Sequence, residues 1–179
     1  MSIVQRIKAA LKIAPSKPEL ISIVLHFRHP APLSEAQLHE AVRRAWGRDV
    51  SPDLNEHIVN KPPICFVKFS RMVLLLSSGS KPYCPPQYLE QALAQFPEER
   101  QKAVARDHKA FLTIDLLNPK RPTREEKERC YRQMGRLAAE LVDDNCMGVY
   151  VPETGHMRPF DGELTAALRS DQPLKALRK

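Results

Sequence analysis

The sequence predicts an α+β domain: a ferredoxin-like, antiparallel-rich sheet with helices mainly on one face, and an amphipathic helix added at the N-terminus. Three observations carry this expectation. Residues 109–151 read as strand, long helix, strand. In residues 20–29, Ile21, Ile23, Leu25 and Phe27 recur at period two as one wholly apolar face. Two boxes of the Ser/Thr-x-x-Gln/Glu type, Ser34–Gln37 and Thr123–Glu126, mark helix starts. Alternation that is clean on one side only suits a sheet packed by helices on that side. The boxes satisfy amide donors that every helix N-terminus leaves open.

The elements follow in order. Met1–Ala14 has helical spacing of Ile3, Val4, Ile7, Ala10 and Leu11, with Arg6, Lys8 and Lys12 off that face. It is expected to pack on its own domain or on a partner rather than on a membrane surface. Pro15–Pro18 reads as a linker. The first strand carries a second, mixed face of Leu20, Ser22, Val24, His26 and Arg28. Ser34 then caps a helix with the stripe Leu38, Val42, Ala45 and Trp46, and Gly47 closes it in the left-handed conformation. Residues 50–63, broken by Pro52, Pro62 and Pro63, are expected to be irregular. Residues 64–69 and 72–77 read as two short strands, either a hairpin around Ser70-Arg71 or one bent strand. After Pro82–Pro86, a helical face of Leu89, Ala92, Leu93 and Phe96 is followed by a charged, mostly solvated helical segment, Glu98–Asp107.

In the strand at 110–117, Ala110, Leu112, Ile114 and Leu116 share one face, and Phe111, Thr113, Asp115 and Leu117 the other. The long helix, Thr123–Asp143, is expected to bury Cys130, Met134, Leu137, Ala138, Leu141 and Val142. Met147, Val149 and Val151 mark the next strand. A loop with a short return strand and a last helix capped by Asp161 complete the pattern. The domain division is 1–18 for helix and linker, 19–170 for the single α+β domain, and 171–179 for a polar, mobile tail.

Composition bounds the function. The 179 residues are 42% hydrophobic and 27% charged, enough for a core and unlike a disordered chain. No apolar run approaches the roughly 20 residues that span a bilayer, so a cytoplasmic location is expected. The net charge of +7 is spread along the chain, which leaves nucleic-acid binding as a charge-driven alternative only. Cys65, Cys84, Cys130 and Cys146 form no C-x-x-C pair, so free thiols are expected in place of a disulfide frame. No phosphate-binding glycine loop, no G-x-S-x-G and no H-E-x-x-H occurs. No catalytic residues, metal or cofactor are therefore assigned. Phe66-Val67-Lys68-Phe69 overlaps the end of an RNA-binding strand pattern, but the pattern's front half is missing, and Phe66 and Phe69 read as core or interface.

The mixed sheet face is the candidate site. Alternation gathers Ser22, His26, Arg28, Lys68, Thr113, Asp115 and Tyr150, and within these His26, Arg28, Thr113, Asp115 and Tyr150 form the candidate ligand face. A His, an Asp and a Tyr on neighbouring strands suit a small polar ligand or proton transfer. Glu153, His156 and Arg158 are a lesser candidate set.

The phrases His108-Lys109-Ala110-Phe111-Leu112 and Cys146-Met147-Gly148-Val149-Tyr150, with a long helix between them, resemble a bacterial family catalogued only as a domain of unknown function. By pattern the resemblance covers most of residues 20–160. It implies one α+β domain and supplies no activity, cofactor or catalytic residue. The expectation for function is a non-enzymatic protein-interaction or binding domain, with a protein partner or a second copy on the sheet face or the N-terminal helix. The alternative is a small hydrolase or ligand-binding enzyme centred on His26 and Asp115.

Overall fold

The computed structural model describes residues 21–30, 32–117 and 122–178. The expected helix at Met1–Ala14 lies outside them. Seven strands form one antiparallel sheet: β1 (Ser22–Phe27), β2 (His57–Lys61), β3 (Ile64–Phe69), β4 (Met72–Gly79), β5 (Ala110–Leu116), β6 (Cys146–Val151) and β7 (His156–Pro159). Their order is β2-β3-β4-β5-β1-β6-β7. Six helices are described: α1 (Glu35–Trp46), α2 (Leu89–Leu93), α3 (Glu99–Asp107), α4 (Arg124–Leu141), α5 (Leu164–Arg169) and α6 (Pro173–Ala176).

Both predicted boxes form. Ser34 and Thr123 each accept the amide of the residue three on, and Gln37 and Glu126 reach back to the cap amides. Gly47 ends α1 at φ 75°, where a side chain would be strained. The apolar face of β1 joins α1 (Leu38, Ala41, Val42), α4 (Tyr131, Met134, Leu137, Ala138) and α5 (Leu164, Leu168) in the main core. The close approach of α4 to α5 requires Gly135: a Cβ there would sit 2.4 Å from the Leu168 carbonyl oxygen.

Several segments differ from expectation. Residues 50–63 hold β2, because its alternation pairs with β3 (Val59 opposite Phe66) despite the flanking prolines. The hairpin at Ser70-Arg71 forms, with β3 and β4 in register from Ile64–Ser77 to Phe69–Met72. The segment after Pro97 is not mostly solvated: Gln101, Val104 and Ala105 of α3 are buried. Val104 and Ala105 join Phe96 and Met157 in a second apolar cluster, against which Leu93, Met147 and Tyr150 pack. The last segment is not a loose tail. Pro173 and Leu177 are buried, and Arg158 donates from Nη1 to the Ala176 carbonyl at 2.7 Å. Asp161 does not cap α5, whose N-cap is Glu163; its carboxylate instead accepts the Glu163 amide at 2.9 Å. Among the described residues, no helix is long and apolar enough to cross a membrane.

Candidate functional site

Strand register places the candidate residues. Opposite β1, Ser22 faces Asp115, Val24 faces Thr113, and His26 faces Phe111. On its other side Val24 faces Tyr150 and His26 faces Gly148. His26, Thr113, Asp115 and Tyr150 therefore share one face, as alternation requires. Arg28 does not join them. It lies beyond the end of β1, exposed, and its Nη1 donates to the Asp144 carbonyl at 2.5 Å. That contact belongs to a clasp in which Asn145 bonds the amide and the carbonyl of His29 at 3.0 and 2.9 Å.

The four that share a face fall into two groups. Ser22 and Thr113 both donate hydroxyls to the Asp115 carboxylate, at 2.5 and 2.8 Å. His26 stands four residues along β1 from Ser22, about 14 Å at the usual strand rise. His26 and Asp115 are thus out of hydrogen-bonding reach of each other. Of the lesser set, Glu153 accepts from Tyr131 Oη at 2.8 Å and Lys127 Nζ at 3.0 Å, so it ties a loop to α4. Arg158, 8% exposed, is spent on anchoring the C-terminal segment.

Around His26 the face is covered. Residues 80–108, containing α2 and α3, pass over β1, β5, β6 and β7 as a strap. No candidate site residue falls in this segment, yet it supplies most of the cleft's walls. Tyr83 lies against Phe111, His26 and Tyr150, with ring centroids 5.3, 5.9 and 6.4 Å away. Phe96 meets Tyr150 edge-on at 6.0 Å. Between strap and sheet is a cleft of about 340 Å³ lined chiefly by His26, Tyr83, Tyr88, Phe96, His108 and Tyr150, with Cys84, Gln95 and small apolar residues. Its signal in the sequence was the pair of tyrosines in Pro82–Tyr88, which lie in a proline-rich stretch without periodicity.

His108 holds the strap. It is fully buried and stacks on His26 with ring centroids 4.1 Å apart. The Tyr83 amide donates to its Nε2 at 2.8 Å, and its Nδ1 lies 2.9 Å from the Val104 carbonyl. A carbonyl only accepts and an amide only donates, so the proton is on Nδ1 and the ring is neutral. His26 is the opposite case. Neither of its nitrogens has a hydrogen-bond partner among the described residues, and both are sealed from solvent. Burial, and then the adjacent His108, hold the His26 pKa well below the ordinary histidine range; burial also lowers that of His108. Burial raises the pKa of the Tyr83 and Tyr150 phenols, helped by Asp115 at Tyr83 and by Cys84 at both. At neutral pH the cleft is therefore aromatic and uncharged.

No three His, Cys, Asp or Glu side chains among the described residues are placed to hold a metal ion. Away from the strap, the rest of this face exposes Val59, Ile64, Phe66 and Leu117, each roughly 40% accessible. No family model matches the chain, and neither a curated protein nor a solved structure does.

Proposed function

We propose that the protein is a non-enzymatic binding domain whose cleft beneath residues 80–108 takes the ring of a small, uncharged ligand. The observation that carries this is the lining: among the described residues it has four aromatic rings, two neutral imidazoles and no Asp, Glu, Lys or Arg. Such walls favour flat apolar rings with a polar edge. Proton transfer is poorly served, since both nitrogens of His108 are engaged in structure and, among the described residues, His26 has no carboxylate bonded to it. Thermal-shift titration with an uncharged bicyclic heteroaromatic compound and with its carboxylate and ammonium analogues tests the reading. The neutral compound should raise Tm in a concentration-dependent way. Ala92→Trp, which fills the cleft from a half-buried helix position, should abolish the shift. Equal shifts from the charged analogues, or an unaffected Ala92→Trp, would sink it.

A second reading, a protein partner in the form of a second copy, has the bare half of the sheet face in its favour. Val59, Ile64 and Phe66 line one side of the β2–β3 hairpin, and β2 is an edge strand. Light scattering should then give a dimer that Phe66→Asp converts to a monomer. The enzyme alternative retains one supporting observation, the electrostatic influence of Asp115 on Tyr83, whose ring centroid lies 5.9 Å from that of His26. The nucleic-acid alternative rests on net charge alone. The connectivity β1-α1-β4-β5-α4-β6 supports the ferredoxin-like reading, with β2–β3 as an added hairpin. The bacterial family resemblance and the cytoplasmic location belong to the same proposal.

A further inference from the structure

The two ends of the strap are tied together by a hydrogen bond that exists only while His108 is neutral, and the His108 ring itself rests on His26 of the sheet. The His108 Nε2 is an acceptor for the Tyr83 amide, 2.8 Å away. A proton on that nitrogen would set donor against donor and remove the bond that holds residue 83 to residue 108. Beneath it, His26 has two unpartnered nitrogens sealed by the strap, with a second imidazole 4.1 Å away. Both rings are therefore neutral with the strap closed, and both can take a proton once it lifts. A state that binds protons which the closed state excludes is populated by acid.

We propose that the His26–His108 stack is an acid-released latch, which keeps residues 80–108 on the sheet at neutral pH and opens the aromatic cleft below it. The inference rests on the cleft being the binding site, because it assigns regulation to that site. The surroundings are consistent with release. From the strap Tyr83 faces the stack, and from β6 Tyr150 does, both phenols held neutral by burial, while Cys84 lines the same cleft. On β5, Asp115 acts on Tyr83, and its oxygens are held by Ser22 and Thr113. At the end of α3, Asp107 favours and the following Lys109 opposes a charge on His108. Among the described residues, no carboxylate is paired with either imidazole to hold the stack together once it is charged.

The test uses the full chain without ligand. Amide hydrogen exchange is followed by NMR from pH 7.5 to pH 5, corrected for the intrinsic rate, and strap amides are compared with those of β3 and β4. Strap protection should fall by up to tenfold per pH unit for each proton taken up, while β3–β4 protection holds. His108→Gln can accept the Tyr83 amide and donate to Val104 without titrating, so its strap should lose at most the share due to His26. His26→Phe, which keeps a ring on His108, should reduce the pH slope by one proton. The latch is overturned if strap protection is independent of pH, if it falls identically in His108→Gln and wild type, or if strap and sheet are lost together. Titration of the neutral ring compound at pH 7.5 is separate: its failure overturns the binding reading and leaves the exchange result standing.

Discussion

At the scale of single residues, two buried ionisable groups each make the fold less stable as pH falls, over different pH windows. Glu56 is 2% exposed and receives two guanidinium bonds from Arg48, at 2.6 and 2.7 Å. It also accepts the Ser70 amide at 2.7 Å, and Arg48 lies 4.2 Å from the Phe69 ring centroid. Bonding to Arg48 lowers the Glu56 pKa to about 2. Its contribution is thus fully present above the unfolded value, about 4.3, and is lost as pH falls towards 2. Urea unfolding of Glu56→Gln should show a clear loss at pH 7 that shrinks as pH approaches 2. His26 acts in the same direction but at higher pH, as a penalty and not as a lost contribution. Its folded pKa lies below the unfolded value of about 6.5, so the penalty is absent above that pH and grows as pH falls beneath it. His26→Phe removes two unpartnered nitrogens and keeps a ring. It should be as stable as wild type at pH 7.5 or more so, with a flatter urea midpoint between pH 6.5 and 5. Neither role was legible beforehand, since a lone Glu in an irregular stretch and a lone His in a strand give no local signal of what will surround them.

At the scale of elements, legibility followed periodicity. The capped helices α1 and α4 and the strands β1, β3, β5 and β6 follow from alternation and from boxes whose chemistry is local. β2 was hidden because five residues between prolines gain their meaning from pairing with β3. The burial of α3 was hidden because Val104 and Ala105 are a short apolar patch in a charged helix, and only the sheet beneath makes them core. The same dependence on neighbours gives the α4–α5 contact a sharp test. Gly135→Ala forces a Cβ against the Leu168 carbonyl. It should cost about 1–3 kcal/mol, as overpacking does, read as a lower Tm with an unchanged far-UV spectrum. Thr123→Ala should cost about 1 kcal/mol through loss of the α4 cap.

At the scale of the whole molecule, one side of the sheet is an ordinary helix-packed core, and the other is divided between the strap and an apolar area exposed among the described residues. Alternation in the sequence groups the candidate residues on one face but does not give the division of that face. His26, Thr113, Asp115 and Tyr150 do share a side, as period two demands. That His26 belongs with Tyr83 and His108, and Asp115 with Ser22 and Thr113, depends on where residues 80–108 cross the strands, and no local pattern encodes that crossing. We propose the cleft under this strap as the binding site. The most direct test of this claim is an amide NMR titration of the full chain at pH 7.5 with the uncharged bicyclic ring compound. The predicted result is saturable shifts concentrated on Tyr83, Ala92, Ala105 and Tyr150, absent in Ala92→Trp. Shifts centred instead on Val59, Ile64 and Phe66, or unchanged in Ala92→Trp, would contradict it.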